Sequence, residues 1–253
     1  MIRTTIVAAA GLALAFPAMA QTEQSRFDAE AKQAIETIVH QYLVEHPEVL
    51  LEALDSLEAK RASQQMASQK AAIAEHGAAL FASPEGTVLG NPAGDVTLVE
   101  FFDYNCGYCK QALADMDALI AADPNVRFVL KEIPVLGPQS LAAAQVSLAV
   151  REAAPERYAE FHRALLEKRG VADEASALAV AEDLGLAIEE VRASMASPAV
   201  AAALAESNEI AEGLAINGTP TYVFSDTVLA GAVGAEALAA GVANVRECGS
   251  TTC

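Results

Sequence analysis

Two cysteines separated by two residues are the part of this chain best suited to chemistry. Cys106 and Cys109 lie in residues 105–110, Asn-Cys-Gly-Tyr-Cys-Lys, between an apolar, β-branched run and a helical pattern. At the start of a helix, cysteines at this spacing lie within disulfide reach. The free N–H groups and partial positive charge of the helix end favour a thiolate on Cys106. The pattern predicts thiol–disulfide exchange, with Cys106 as nucleophile and Cys109 as resolving thiol.

The same spacing is compatible with two other kinds of site. One is a structural disulfide, and the other is half of a zinc site, which would need two more ligands. The remaining cysteines, Cys248 and Cys253, are five apart, and His162 stands alone. We expect no metal centre, and of the three possible pairings we favour Cys106 with Cys109 and Cys248 with Cys253. The second pair is interpreted as a tail disulfide, with a redox relay or a Cu(I) site as alternatives.

The elements that must position the cysteines alternate between strands and helices. Residues 95–102 and 126–135 are nearly continuous apolar runs, as in buried strands, and residues 111–121 between them are helical in pattern. Together they predict a βαβ unit with parallel strands and a right-handed crossover. The expected α/β domain is completed by a helical block at 140–214, short strands at 221–224 and 227–230, and a closing helix at 235–246.

A helical arm precedes this domain. Residues 27–57 repeat apolar side chains at spacings of three, four and seven, and Pro47 is expected to break the run. Polar, alanine-rich sequence continues the helical pattern to residue 79. Residues 81–94 are rich in Gly and Pro, which predicts a loop with one short strand at 87–89. We place the main domain boundary in this loop.

The beginning of the chain has the features of a secretory signal. Arg3 supplies the charge, residues 6–16 the apolar core, and residues 18–20 an A-x-A cleavage site, which predicts a mature chain starting at Gln21. The apolar run is short for a membrane span, and no later stretch resembles one. Cleavage would remove one basic and no acidic residue, changing the formal net charge from −18 to −19. So acidic a chain is expected to bind neither nucleic acid nor anionic membrane surfaces.

Residues 99–110, VEFFDYNCGYCK, resemble the active-site segment of DsbA-family thiol–disulfide oxidoreductases. The likeness is strongest to the exported branch with a helical N-terminal extension, which includes the ScsC-type (suppressor of copper sensitivity) proteins. It implies a thioredoxin fold with a helical insertion at about residues 138–214 and an N-terminal helical arm. The implied domains are a signal peptide at 1–20, an oligomerisation arm at 21–62, a helical linker at 63–86 and a catalytic domain at 87–253.

The resemblance also implies a client-binding surface. Thr219 and Pro220 match the cis-proline loop that faces the cysteine pair in these enzymes. The backbone of Thr219 would then pair with a client strand beside Cys106, as in β-strand addition. Gly107 and Tyr108, between the two cysteines, are expected to contact the same client.

Glu100 and Lys131 are an acid and a base in otherwise apolar strands. Buried charges are rare unless they are paired or functional. The resemblance implies that the two form a buried pair beneath the disulfide and assist proton transfer at Cys109. A purely structural ion pair is the alternative.

The expected function is that of an enzyme that forms, reduces or shuffles disulfides in periplasmic or secreted proteins. No bound cofactor is implied, but a membrane oxidase or reductase is needed as redox partner. The arm is expected to form a homo-oligomer, with packing on its own domain as the alternative. The absence of histidine at residues 107–108 predicts a mild oxidant, and Thr219 resembles the isomerase branches. A copper-handling or thiol-protecting binding protein is the alternative function.

Overall fold

The computed structural model describes residues 28–84 and 86–253. The expected signal peptide, residues 1–20, and the first residue of the expected arm helix, Phe27, lie outside these ranges. The chain divides into two compact units, the first ending at Glu58 and the second covering residues 59–253. No helix in the described ranges is both long enough and apolar enough to cross a membrane.

Two helices account for the described part of the first unit. Helix α1, Ala29–Glu45, begins at Asp28, whose side chain accepts a hydrogen bond from the backbone N–H three residues on. It ends at His46, which has non-helical backbone (φ −127°, ψ 62°) because Pro47 follows. The predicted break is therefore confirmed. Helix α2, Glu48–Leu80, starts directly afterwards and continues into the second unit.

The second unit is built on a five-stranded mixed sheet. Its strands are β1 (Leu89–Gly90), β2 (Val96–Phe102), β3 (Val126–Glu132), β4 (Thr221–Phe224) and β5 (Thr227–Ala230). They are arranged in the order β1-β3-β2-β4-β5, with β2 and β3 parallel and all other neighbours antiparallel. Helix α3, Gly107–Ala122, connects β2 to β3. The predicted βαβ unit and the hairpin that follows the helical block are confirmed.

A series of helices lies between β3 and β4, as the sequence predicts. They are α4 (Pro138–Ala153), α5 (Tyr158–Glu167), α6 (Glu174–Asp183), α7 (Ile188–Met195) and α8 (Pro198–Gly213), with a 3₁₀ turn at Pro155–Arg157. Helix α9, Ala235–Cys248, follows the hairpin. The chain therefore has a thioredoxin-like sheet with a helical insertion.

Side chains of the central strand alternate between two apolar cores, because successive residues of a strand point to opposite faces. Leu98 and Phe102 lie in the larger core, with residues of α3, α9 and the insertion helices. Val99 and Phe101 lie in the smaller core, with residues of α2 and α8. Both faces of β2 are covered, which explains why its sequence is almost continuously apolar.

The end of α2 belongs to the second unit. Ile73 and Leu80 are buried in the smaller core, and Gln69 Nε2 donates to the carbonyl of Leu214 at 3.1 Å. Residues 63–80, which belong to the predicted linker, therefore help to cover one face of the sheet. The helix is mostly polar, so its few buried positions gave little sequence signal.

Candidate active site

The cysteine pair sits where β2 gives way to α3. Cys106 is the N-cap residue of α3, with extended backbone (φ −76°, ψ 117°), and Cys109 lies in its first turn. Cys106 is 7% exposed and Cys109 is fully buried. Both are free thiols, so the favoured bond between them is not formed and the structure represents the reduced state of the pair. The first sulfur is the one nearer to solvent.

The loop before β4 faces this pair. The peptide bond between Thr219 and Pro220 is cis, and the thiol of Cys106 donates to the carbonyl of Thr219 at 3.1 Å. The carbonyl of Pro220 accepts a hydrogen bond from the N–H of Gly231 at 2.8 Å, which ties the loop to the end of β5. The structure thus brings Thr219 and Pro220 next to Cys106.

The environment of Cys109 favours its protonated form. Burial raises the pKa of the Cys109 thiol far above its ordinary value, and the Glu100 carboxylate raises it further. A hydrogen bond with the backbone of Asp103 acts in the opposite direction. Because a thiolate must form on Cys109 before it can resolve a mixed disulfide, proton transfer at this atom requires a base.

Glu100 is the acidic residue best placed to act as the base for Cys109. It is buried on β2, and burial, assisted by the charge of Asp115, raises the pKa of its carboxyl to about 8. Tyr222 lies directly across from it on β4. Within the described residues, neither Glu100 Oε2 nor the Tyr222 hydroxyl has a hydrogen-bond partner. Glu100 is therefore a buried carboxyl with a raised pKa and a free oxygen atom.

The predicted pair between Glu100 and Lys131 is wrong. In the parallel register of β2 and β3, Glu100 lies opposite Leu130 and Lys131 lies opposite Phe101, so the two side chains point to opposite faces of the sheet. Lys131 Nζ instead donates to Glu206 Oε1 at 2.7 Å and to a carbonyl near the end of α2 at 2.9 Å. Lys131 is thus part of the packing between the sheet, α2 and α8, and not of the active site.

Asn105, immediately before the cysteine pair, has a positioning role that the sequence did not predict. Its amide nitrogen donates to Ser140 Oγ at 2.9 Å and to the carbonyl of Ala172 at 2.8 Å. Its amide oxygen accepts from the N–H of Ala172 at 2.7 Å. Asn105 therefore fastens the active-site segment to two parts of the helical insertion. Its partners are 35 and 67 residues away, and only its position beside the motif could have suggested it.

A buried polar network lies on the other side of this segment. The Tyr104 hydroxyl is 2.7 Å from Ser147 Oγ and 3.3 Å from His162 Nδ1. Ser147 and Tyr158 both donate to Glu132 Oε1, at 2.9 and 2.8 Å. Burial lowers the pKa of His162 to about 3, so this imidazole is neutral. The network links the end of β2 to β3, α4 and α5.

Exposed apolar side chains lie in the cysteine motif and in the segments that hydrogen-bond to its neighbouring residues. Tyr108 is 68% exposed, and Gly107 beside it is also exposed. The nearby segments that hydrogen-bond to residues 103 and 105 add further exposed apolar side chains, namely Val135, Leu136, Leu141 and Val171. We call these four residues and Tyr108 the apolar rim. It provides an apolar surface beside a reactive sulfur.

The C-terminal cysteines form a separate feature. Cys248 and Cys253 are joined by a disulfide at the end of α9, and both are exposed. The tail between them is held against the β4–β5 turn, where Ser250 Oγ donates to Asp226 Oδ1 at 3.0 Å. Within the described residues, no group of three or more His, Cys, Asp or Glu side chains is arranged to hold a metal ion.

Two family descriptions match the chain. Residues 97–243 match the DSBA-like thioredoxin domain, and residues 32–64 match the Copper resistance protein ScsC N-terminal domain. Because the first match covers more than half of the chain, the protein belongs to the DsbA-like thioredoxin family. Membership of this family supports thiol–disulfide oxidoreductase activity, and both Cys106 and Cys109 lie within the matched range.

Solved structures are similar to most of the chain. A thioredoxin-like oxidoreductase from Silicibacter pomeroyi DSS-3 is 44% identical, with a TM-score of 0.63, and the match covers 66% of this chain and 96% of that one. Proteus mirabilis ScsC in a transitional conformation is 28% identical, with a TM-score of 0.60, over 85% and 94% of the two chains. A periplasmic thioredoxin-like protein from Salmonella enterica serovar Typhimurium is 27% identical, with a TM-score of 0.57, over 68% and 94%.

A longer protein also shares part of the sequence. The Na(+)/H(+) antiporter NhaA 1 of Salinispora arenicola (strain CNS-205) is 32% identical over 157 residues, which are 61% of this chain. The match spans only 24% of the length of that antiporter.

Proposed function

We propose that the protein exchanges disulfides with exported client proteins through Cys106 and Cys109. One observation carries the proposal: Cys106 lies at the N-terminus of α3 and its sulfur faces the Thr219 carbonyl at 3.1 Å. A sulfur at a helix N-terminus is a good nucleophile and leaving group, because the helix end stabilises its thiolate. The loop opposite supplies backbone groups that can hold a client.

In the oxidising direction, a client thiolate attacks Sγ of Cys106 in the Cys106–Cys109 disulfide. A bond forms between the client sulfur and Cys106, the Cys106–Cys109 bond breaks, and Cys109 leaves as a thiolate that takes up a proton. A second client thiolate then attacks the first client sulfur, which forms the client disulfide and releases Cys106 as a thiolate. Reduction of a client disulfide follows the same steps in reverse.

Glu100 is the group that we assign to proton transfer at Cys109. Because its pKa is raised to about 8, its carboxyl holds a proton at neutral pH that it can give to the departing Cys109 thiolate. In the reverse direction its carboxylate accepts that proton. The influence of the Glu100 charge on the pKa of Cys109 supports this assignment.

Client binding is assigned to the backbone of Thr219 and to the apolar rim. Pro220 directs the loop toward Cys106, and a client strand running past Thr219 would place its own cysteine at the reactive sulfur. Gly107 leaves room beside Cys106, and Tyr108 offers a large exposed ring. An unfolded client segment would bury its apolar side chains against this rim, whereas a folded protein would have few to offer.

We place the activity in the periplasm, where disulfides persist. The signal-like residues 1–20 and the periplasmic relative from Salmonella support this location. A membrane oxidase or reductase would restore the working redox state of Cys106 and Cys109 after each turnover. No bound organic cofactor is needed for the exchange.

The helical arm is proposed to assemble several copies of the chain. Seven of its apolar side chains in α1 and α2 are at least half exposed, namely Ile38, Val39, Tyr42, Val44, Leu50, Leu51 and Leu54. The ScsC N-terminal domain match spans the same segment. An assembly would present several cysteine pairs to one client, which raises their effective concentration and favours shuffling over simple oxidation.

Activity assays with cysteine variants test the proposed chemistry. We expect Cys106→Ser to abolish insulin reduction and the reactivation of scrambled ribonuclease, because the nucleophile is lost. The matched control is Cys248→Ser/Cys253→Ser, which removes the exposed tail disulfide and should retain both activities. Equal activity of Cys106→Ser and the native chain would contradict the proposal.

Light scattering tests the arm. We expect the native chain to have the mass of an oligomer, and Val44→Glu/Leu51→Glu to have the mass of a single chain, because buried carboxylates oppose packing between apolar faces. The control, Gln33→Glu/Ser56→Glu, adds the same charge at exposed polar positions of the same helices. A single-chain mass for the native protein would contradict assembly through the arm.

Copper handling is the second candidate, since the arm matches a domain of copper resistance proteins. In that case the Cys106 and Cys109 thiolates would be soft ligands for Cu(I). Titration with Cu(I) under reducing conditions separates the two functions. Tight binding that is lost in Cys106→Ser, together with no activity toward insulin or scrambled ribonuclease, would favour copper handling.

A further inference from the structure

In the part of the chain that the structure describes, two positively charged side chains near the cysteine pair have no acidic partner. The chain carries a formal net charge of −18, and more than half of the Lys and Arg side chains in residues 59–253 have a carboxylate oxygen within 4.0 Å. Lys110, directly after Cys109, is one of the exceptions among the described residues, and Arg169 is another. Their position near the active site makes these two cations candidates for contact with a client.

Hydrogen bonds hold Lys110, and the loop that carries Arg169, next to the motif. Lys110 Nζ donates to the carbonyl of Lys168 at 3.0 Å, and Asn105 exchanges two hydrogen bonds with the backbone of Ala172. The loop 168–172 therefore runs alongside residues 105–110. Arg169 is exposed in the middle of this loop.

Two acids that follow this loop in the sequence have partners of their own. The Asp173 carboxylate accepts from the Ser176 N–H at 2.9 Å as the N-cap of α6, and Glu174 lies 3.5 Å from Arg192. Glu167 has no ion pair in the described residues, but it lies at the end of α5, before the loop. Lys110 is held at the loop and Arg169 is exposed within it, each two residues from a member of the apolar rim, Tyr108 or Val171.

We propose that the active site prefers client cysteines that are flanked by Asp or Glu. This inference rests on the proposed function and names the class of client segment. A flanking carboxylate would pair with Lys110 or Arg169 while apolar neighbours contact Tyr108 and Val171, both of which are exposed. The net charge of the chain repels acidic peptides at a distance, so the preference must come from contact at short range.

Matched peptides test the preference. Three peptides differ only in the residues on either side of a single cysteine, which are Glu, Gln or Lys. Each reacts with the oxidised full mature chain, and acid-quenched samples give the rate constant for mixed-disulfide formation by mass spectrometry. Each rate is divided by the rate of the same peptide with the uncharged hydroxyethyl disulfide, because flanking charges also alter the reactivity of the peptide thiol.

We expect the Glu peptide to react about threefold faster than the Gln peptide after this division, since an exposed ion pair contributes modestly. The Lys peptide should be the slowest. Because exposed charges are screened by salt, the ratio should approach one at about 1 M salt. Equal rates for the Glu and Gln peptides at low salt would overturn the inference.

Variants that remove a single charge show which side chain produces the preference for acidic peptides. In Lys110→Gln and in Arg169→Gln the ratio of Glu to Gln peptide rates should fall toward one. Arg169→Gln should disturb the fold less than Lys110→Gln, because no hydrogen bond of the Arg169 side chain is present in the described part of the chain. Lys60→Gln/Arg61→Gln is the control, because it removes two charges of α2 that have no ion pair in the described residues, and it should keep the native ratio.

The outcomes separate this inference from the proposed function. If none of the three peptides reacts with the oxidised chain, disulfide exchange itself is contradicted. If all three react equally, or if Arg169→Gln and Lys110→Gln keep the native ratio, exchange stands and the acidic preference is overturned.

Discussion

Glu100 and Lys131 show how a difference of one position along paired strands decides which face of the sheet a side chain occupies, and hence its role. They lie on neighbouring strands, but Glu100 faces the larger core with Cys109, whereas Lys131 faces the smaller core and pairs with Glu206. Because no cation among the described residues lies beside it, the Glu100 carboxyl keeps a pKa of about 8. The lone buried acid is therefore better suited to hold and release a proton near neutral pH than a member of a tight ion pair would be.

Substitutions of these two residues should have different effects on exchange. Glu100→Gln should slow the step that resolves the mixed disulfide at Cys109 on the order of a hundredfold near neutral pH, because the proton carrier is lost. Lys131→Met should leave the pH dependence of this step unchanged. Quenched-flow kinetics of the resolving step from about pH 5 to pH 9 checks both. A shifted pH profile in Lys131→Met would contradict the separation of the two residues.

Asn105 should contribute to stability through its bonds to the insertion. Removing its amide in Asn105→Ala leaves the N–H and carbonyl of Ala172 without these partners, and we expect a loss of about 1–3 kcal/mol in the free energy of unfolding. Urea unfolding measures the change. Asn125→Ala is the control, because Asn125 is exposed. A similar loss in both variants would show that the bonds to Ala172 contribute nothing.

Helices α2 and α9 each contain a glycine, and the two glycines differ in the space around them. A Cβ atom at Gly77 in α2 would meet nothing within 4 Å, whereas a Cβ at Gly241 in α9 would lie 2.6 Å from atoms of the Phe224 ring. Gly241 thus permits close packing of α9 on β4. In the described residues, no close contact requires Gly77 to be a glycine.

Alanine at these two positions should have opposite effects. Gly77→Ala should raise the free energy of unfolding by about 0.5–1 kcal/mol, because alanine restricts the unfolded chain and favours helix. Gly241→Ala should lower it by about 1–3 kcal/mol through overpacking against Phe224. Chemical unfolding of the two variants side by side is the measurement. A stabilising Gly241→Ala would contradict the close packing of α9.

The elements that carry strong local patterns are those that the sequence predicted. The apolar runs of β2 and β3, the break at Pro47 and the helix after the cysteine pair all follow from neighbouring residues. The position of the last turns of α2 on the sheet did not follow, because only Ile73 and Leu80 are buried there. The partners of Lys131 and Asn105 also could not be predicted. Neither the register of the strands nor a contact between residues far apart in the sequence can be recognised from the neighbouring residues.

For the molecule as a whole, two buried groups determine opposite dependences of stability on pH. Burial raises the pKa of Glu100 from 4.5 to about 8, so the folded state holds a proton that the unfolded chain releases, and stability is lost as pH rises through this range. Burial lowers the pKa of His162 from 6.5 to about 3, so stability is lost as pH falls below 6.5. Between about pH 4.5 and 6.5 the two slopes cancel.

We therefore expect the free energy of unfolding to be nearly constant in that interval and to fall on both sides of it. The fall from about pH 6.5 to pH 8 should disappear in Glu100→Gln, and the fall below about pH 4.5 should become shallower in His162→Gln. Urea unfolding at a series of pH values checks this. Parallel profiles for the native chain and Glu100→Gln would contradict the assignment to Glu100.

The hydrogen bond from the Cys106 thiol to the Thr219 carbonyl exists only while that sulfur carries a proton. Once Cys106 is joined to another sulfur, the carbonyl lone pair becomes available to an N–H of a docked polypeptide. A client would therefore be held more firmly by the oxidised enzyme than by the reduced enzyme with a protonated Cys106. When the Cys106 thiolate released by the exchange takes up a proton, its thiol donates to this carbonyl again, which helps the product to depart.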